Sequence, residues 1–191
     1  RLTGVHVTLE PLSVAHVEGL KSAVSDGELW KLWYTNVVKP SEMRQEVERR
    51  LALHEAGSMM PFTVVRNDSA TSGTIVGMTT LMAIDRANCT VQIGSTWYSA
   101  CAQGTHVNAE SKLLLLRYCF EIMGMQRVEF RTHSMNRHSR AAIEKLGATF
   151  EGILRRHMVL RNGTTRDTAL YSILDYEWPT VRAGLEFRLG R

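Results

Sequence analysis

The sequence predicts a mixed α/β (α+β) fold, an open β-sheet flanked by helices in the order β-α-α-β-β-β-α-β-α-β-β. Three observations predict it. Strand-like runs at 61–66, 74–84 and 90–98 follow one another with turn chemistry between them. An apolar helix carrying Leu113, Leu114, Leu115, Leu116, Tyr118, Phe120 and Ile122 then separates the third run from a strand at 127–132; a helix between two strands is the crossover that makes a parallel pair. Finally, Asn162-Gly163 between two late strand runs is a strong hairpin signal. The sheet is therefore expected to be antiparallel early and parallel in the middle. With no linker, repeat or low-complexity segment, residues 1–191 read as one domain.

The elements follow in order. Val5 to Leu9 alternates as a strand and is closed by Pro11. Ser13 is placed to cap a helix with Val14, Val17, Leu20 and Val24 on one face. Residues 26–40 read as a loop rich in aromatics, with Trp30, Trp33 and Tyr34 split evenly between core and acceptor wall. Ser41 is expected to cap a second helix, with Met43, Val47 and Leu51 inward and Glu42, Glu46, Arg49 and Arg50 on its wet face, ending at Gly57. Breaks at Asn67-Asp68-Ser69 and 85–88 separate the three central strands. The apolar helix is expected to stop at Gly124. A helix over 136–146, closed by Gly147, leads to strands at 149–160 and 165–174 and a short amphipathic tail from Glu177.

Composition is ordinary for a globular protein, 44% hydrophobic and 22% charged in 191 residues. The net charge of +4 suits an anionic ligand such as a nucleotide cofactor and also suits RNA. No run reaches the ~18 apolar residues of a membrane helix. The chain opens Arg1-Leu2-Thr3-Gly4 without an initiator Met, which reads as a cut or renumbered terminus, and no signal-peptide pattern follows. A cytoplasmic location is the default. The three cysteines, Cys89, Cys101 and Cys119, are widely spaced and read as reduced thiols, and the seven histidines lack metal-ligand spacing.

The sharpest local feature is Gln103-Gly104-Thr105-His106-Val107-Asn108, a short polar turn between a strand and a helix. The unpaired amides of a first helical turn and the helix dipole favour an anion at such a place. A phosphorylated cofactor is the expected ligand.

That turn, the later segment 136–148 (N-x-x-S followed by Gly147-Ala148) and Phe150-Glu151-Gly152, in this order, resemble the GNAT acetyltransferase superfamily. Within it, the chain resembles the branch of ribosomal-protein N-terminal acetyltransferases of the Rim type, over nearly its whole length. The resemblance implies a centrally splayed sheet and transfer of an acetyl group from acetyl-CoA to an amine. It implies that the turn from Gln103 to Asn108 holds the coenzyme A pyrophosphate. Pantetheine then lies in the splay, paired to the backbone of 94–98 (Ser95, Thr96, Trp97 and Tyr98 among them). Asn136 matches the family Asn that bonds the pantetheine amide, and Ser139 a position where some members protonate the leaving thiolate. The plain reading of both is helix capping.

Two departures from the family pattern stand out. The usual turn has Gly where His106 stands, so a positive φ is expected at this histidine. The usual carboxylate slots for a general base hold Gln92 and Met158, neither of which accepts a proton, leaving water, His157, His133 or Glu129. Arg155, Arg156 and His157 also fit a solvated strand face. The acceptor is an amine, at a protein N-terminus or on a small molecule, with a wall expected from 26–39 and 161–167. A homodimer is expected by analogy with the family alone. The alternative reading is a non-catalytic module of the same fold that holds coenzyme A or RNA. The absence of an RNP-like motif or Lys/Arg block argues against nucleic acid.

Overall fold

The computed structural model describes residues 1–67 and 73–191. The turn expected at Asp68 and Ser69 lies outside them. Eight strands form one sheet: β1 (Leu2–Thr3), β2 (Val7–Pro11), β3 (Met59–Arg66), β4 (Ile75–Asp85), β5 (Thr90–Tyr98), β6 (Arg127–His133), β7 (Thr149–Val159) and β8 (Thr165–Leu174). Their spatial order is β1-β2-β3-β4-β5-β6-β8-β7, and among the described residues β5–β6 is the one parallel pair in a sheet otherwise antiparallel. Five α-helices flank it: α1 (Val17–Ser25), α2 (Met43–Glu55), α3 (His106–Arg117), α4 (Arg137–Glu144) and α5 (Trp178–Arg188). The tail expected after Glu177 is thus a three-turn helix, fixed by burial of Trp178, Val181 and Leu185.

Side chains of a strand alternate between sheet faces, and this sorts the interior into two clusters. Tyr98, Ile93, Val91, Phe130 and Val128 face α3, α4 and α5. Trp97 and Met78 face α1 and α2. The Leu113–Leu116 run is core, as its composition predicts. α3 ends in a π-turn, Tyr118–Ile122, before Gly124 takes a positive φ.

Two local expectations are corrected. Ser41 caps nothing: a short 3-10 turn, Pro40–Glu42, begins one residue earlier, with Lys39 at its N-cap. Proline's fixed φ suits the first helical position, so Pro40 sets the start and leaves Ser41 inside the turn. Arg50 is not on a wet face. It is buried, donating from Nε to Glu46 (2.7 Å) and from Nη1 to Thr80 Oγ1 (2.7 Å) and the Ser95 carbonyl (3.4 Å).

Buried Glu110 of α3 ties down the chain's beginning. It accepts the amides of Val5, His6 and Val7 and a hydrogen bond from Arg191. A Cβ at Gly4 would lie 2.5–2.8 Å from the Glu110 carboxylate, so glycine permits the approach.

Candidate active site

β5 and β6 pair only at Thr90–Arg127, Val91–Val128 and Gln92–Glu129. Beyond Gln92 the two strands part. β5 bulges there: its register with β4 shifts between Met78 and Thr80, and Ser95 takes φ +48. A side chain at Gly94 would meet Gln92 Nε2 at 2.8 Å and the Met82 sulfur at 3.0 Å. A bulge re-aims the backbone and ends pairing, leaving a slot flanked by the backbone from Gly94 to Tyr98. Of the residues expected there, Ser95 is exposed and Thr96 half-buried. Trp97 and Tyr98 send their side chains into opposite cores and offer only backbone.

The bulge is held from both faces of the sheet. Arg50 reaches the Ser95 carbonyl from α2. From α3, Lys112 Nζ donates to Thr96 Oγ1 (3.1 Å), which also lies 2.8 Å from Thr79 Oγ1. Lys112 is 6% exposed and has no carboxylate within ion-pair distance among the described residues. Burial lowers its pKa from the ordinary 10.5 to about 7.

After Tyr98 a 3-10 turn, Ala100–Ala102, leads to the polar turn. Asp26 occupies its amides: the Asp26 carbonyl accepts from Ala100 N–H (3.0 Å) and Oδ2 from Cys101 N–H (2.9 Å). Gln103 Nε2 donates back to the Tyr98 carbonyl (3.0 Å). Gly104 carries the positive φ, +72. Thr105 caps α3, its hydroxyl accepting from Val107 N–H (3.3 Å) and donating to the Ala102 carbonyl (2.7 Å). The amides of Gly104, Thr105 and His106 precede the first intrahelical acceptors, and residues 103–106 are exposed. An exposed helix N-terminus with outward amides fits a pyrophosphate.

The expectation at His106 is corrected. It has no positive φ, because it is the first residue of α3, and Gly104 already supplies the left-handed step. Its ring stacks on His6 with centroids 4.7 Å apart. Val107 is buried in the core and Asn108 half-buried.

α4 begins across the slot. Asn136 is its N-cap, Oδ1 accepting from Ser139 N–H at 3.0 Å, so the plain capping reading holds. Neither Asn136 Nδ2 nor the Ser139 hydroxyl has a hydrogen bond among the described residues. The helix is braced by Arg140, which donates to Tyr171 Oη (2.8 Å) and the Ser134 carbonyl and stacks over Phe150; Tyr171 Oη donates to Glu144 (2.7 Å).

On the α1/α2 side, β6 presents Arg127, Glu129, Arg131 and His133. Glu129 Oε1 accepts from Arg127 Nε (3.0 Å) and Oε2 from Arg131 Nη2 (2.7 Å). Glu151 accepts from Arg127 and from Ser172 Oγ; the Arg127 bond, more than the Ser172 one, holds its carboxyl below the usual range. A cavity of about 550 Å³ is lined here by Gln92, Glu129, Arg131, Ile84, Asp85 and Arg86, among others. His133 is buried. Its Nδ1 accepts from Met135 N–H (3.1 Å), so Nε2 carries the proton and has no hydrogen-bond partner among the described residues. Burial, then the charge of Arg166, holds its pKa below the ordinary value. With Nδ1 occupied, the ring offers a donor at Nε2. Met158 lies exposed on β7, and His157 Nδ1 is 3.0 Å from Thr168 Oγ1.

The aromatic loop roofs the end of β6. Trp33 meets His133 edge-on at 5.2 Å. Asn162 Nδ2 donates to the Trp33 carbonyl (3.1 Å) and Arg161 to Glu42 (3.2 Å), docking the loop on the β7–β8 hairpin. A second cavity, about 190 Å³, lies between them, lined by Trp30, Trp33, Glu42 and Arg161 among others. The two segments expected to wall the acceptor thus meet in space. Arg155 bonds Asp167 and is largely exposed, and Arg156 takes φ +50 in an irregular stretch of β7.

Residues 6–149 match the family described as "Acetyltransferase (GNAT) domain". A Bacillus subtilis (strain 168) protein named "Putative ribosomal N-acetyltransferase YdaF" is 31% identical over 106 residues, 56% of this chain and 57% of that protein. The matched stretch thus spans little more than half the length of that relative. Among solved structures, a GCN5-related N-acetyltransferase from Brucella melitensis superposes with a TM-score of 0.85 at 31% identity, over 97% of this chain and 83% of that one. Mycobacterium smegmatis RimJ, solved in complex with CoA-disulfide, shares the fold with a TM-score of 0.79 at 22% identity, over 97% and 90%. The chain belongs to the GNAT acetyltransferase superfamily and, within it, resembles the branch of ribosomal-protein N-acetyltransferases.

Proposed function

We propose that the chain is an acetyl-CoA-dependent N-acetyltransferase in which a primary amine attacks the acetyl group directly. The single observation that carries this is the slot between β5 and β6, opening at one end onto the exposed amides of Gly104, Thr105 and His106. Bound acetyl-CoA supplies an acyl group activated as a thioester. The turn from Gln103 to Asn108 binds its pyrophosphate through backbone amides and the α3 dipole. The freed edge of β5 from Ser95 to Tyr98 pairs with pantetheine as an added strand would. Asn136 Oδ1 is occupied by Ser139 N–H, so Nδ2 is the group offered to a pantetheine carbonyl. The amides of the bulged strand are donors for the oxygen on which charge develops. The Ser139 hydroxyl gives its proton to the departing sulfur.

The amine enters from the open face beside Gln92 and Arg131 and loses its proton to water there, since Glu129 and His133 are committed to other bonds. Holding amine and acyl group side by side supplies much of the rate. The name of the Bacillus subtilis relative, a ribosomal N-acetyltransferase, supports a protein N-terminus as acceptor, and a small-molecule amine is the other class the reading keeps. The reading includes a cytoplasmic home and a homodimer; no described helix is long and apolar enough to cross a membrane.

Thiol release from acetyl-CoA, followed over a panel of N-terminal peptides and small amines, tests the proposal. Ser139→Ala is expected to slow transfer by ~10²-fold, the lower end for general acid catalysis. Unchanged turnover in Ser139→Ala and Asn136→Ala together would overturn the assignment. The lack of an uncommitted base favours one second reading, a module that holds coenzyme A without transferring from it. Tight acetyl-CoA binding with no thiol release on any amine would select it.

A further inference from the structure

One guanidinium on the open face has no acid to match it among the described residues. Along β6 and its neighbours the charges interlock: Arg127 lies between Glu151 and Glu129, and Glu129 is shared with Arg131. Arg166 of β8 stands outside that row. It is half-buried, and its Nε donates to Thr168 Oγ1 (2.8 Å), which folds the side chain back along β8 toward the residue paired with His133. Its two terminal nitrogens hold no hydrogen bond, and no carboxylate lies within ion-pair distance, among the described residues. Burial and then the nearby charge of Arg131 lower its pKa, and its own charge acts on His133. The Arg166 fork is therefore left open beside a buried imidazole whose Nε2–H has no hydrogen-bond partner among the described residues. The nearby carboxylates are engaged: Glu129 by Arg127 and Arg131, and Asp167, whose charge also acts on His133, by Arg155 and the Arg156 amide. A guanidinium held in a partly desolvated place is unfavourable unless an anion joins it, and its fork suits a carboxylate. The coenzyme phosphates are not that anion. Their turn lies at the start of α3, beyond β5, whereas Arg166 lies on the far side of β6.

We propose that Arg166, with Arg131 and His133 Nε2–H, forms a carboxylate subsite in the acceptor groove, so that the acceptor is an amine bearing a carboxylate. The inference rests on the acetyltransferase reading for the identity of the ligand as an acceptor. The carboxylate has two sources: the α-carboxylate of a free amino acid, or an acidic side chain near a protein N-terminus.

Two probe pairs separate them. One is L-alanine against L-alaninamide. The other is a pentapeptide amide with aspartate at its second position against its asparagine counterpart. Each is measured twice, by calorimetric binding in the presence of coenzyme A and by acetyl transfer. The carboxylate member of one pair is expected to be favoured about tenfold at low salt, a preference that weakens as salt rises. In Arg166→Gln the ratio is expected to fall to near one, and Arg166→Lys to retain part of it, with both variants still binding acetyl-CoA. A ratio near one for both pairs in the wild type, or an undiminished ratio in Arg166→Gln, overturns the subsite. Transfer without charge preference removes the subsite and keeps the transferase. Charge-selective binding without transfer does the reverse, and neither binding nor transfer removes both.

Discussion

Replacing Lys112 by methionine is expected to stabilise the protein, and by an amount that depends on pH. Methionine keeps the unbranched apolar stem and removes the ammonium. The native fold lowers the Lys112 pKa from 10.5 to about 7, which corresponds to an upper bound of ~5 kcal/mol in favour of the uncharged form. Below pH 7 both the folded and the unfolded chain carry the proton, and the full penalty is borne. Between about 7 and 10.5 the unfolded chain binds a proton that the native state has released, so this site makes stability rise with pH across that window. The methionine variant escapes both regimes. It loses the bond to Thr96, worth about 1 kcal/mol. The net gain at pH 6 is then on the order of 3–4 kcal/mol, falling to within ~1 kcal/mol of wild type by pH 10. For a chain of this size the gain at pH 6 corresponds to roughly 6–16 °C in Tm. Urea unfolding followed by tryptophan fluorescence at pH 6 and pH 10 measures both numbers. A variant less stable than wild type at pH 6, or an equal difference at the two pH values, would refute the reasoning. A gain in stability joined to slower acetyl transfer would mean that lysine holds Thr96 on the bulged strand at the expense of the fold.

Other consequences are as direct. Burial alone would raise the Glu110 pKa, but the amides of Val5, Val7 and His6 and the Arg191 guanidinium overcome it and hold it below the usual value. Its contribution is therefore present above about pH 4.5 and lost as pH falls through the lowered value. Glu110→Ala strands three amides and is expected to cost about 3 kcal/mol at pH 7 and less at pH 3, read by urea unfolding at both. Gly104→Ala puts a Cβ on a residue at φ +72 with nothing within 4 Å, so the expense is backbone strain alone, about 1 kcal/mol. Its melting temperature should fall slightly while acetyl-CoA affinity falls about tenfold. Unchanged affinity would mean that the turn does not carry the pyrophosphate.

Local signals are legible in the sequence and long-range ones are not. β5 runs from Thr90 to Tyr98, as alternation and its turns indicate. Asn136 caps its helix because a short amide side chain reaches the third amide beyond it. The loop at 26–40 and the hairpin at 161–164 were each visible as separate segments, and their meeting through Trp33 and Asn162 joins residues 129 positions apart. Arg50 looks like its neighbour Arg49 in the sequence. Only the tertiary partners Thr80 and Ser95, 30 and 45 residues away, make it a buried clamp. Strand order is also a long-range property: nothing near Thr165 announces that β8 inserts between β6 and β7. Lys112 and Glu110 sit in a helix whose apolar composition marks it as core, yet what each charge meets inside is set by Thr96 and by the amides of Val5 to Val7. The positive φ expected at His106 follows from the family's glycine at that place, whereas the helix here begins at His106 and Gly104 takes the left-handed step.

The most direct test of the central claim is isothermal titration with acetyl-CoA of the wild type, Asn136→Ala and Asn136→Ser. Serine keeps the helix cap and removes Nδ2, so it separates ligand contact from helix stability. The account predicts micromolar binding by the wild type and about tenfold weaker binding by both variants. No binding by the wild type, or binding that Asn136→Ser leaves intact, would contradict it.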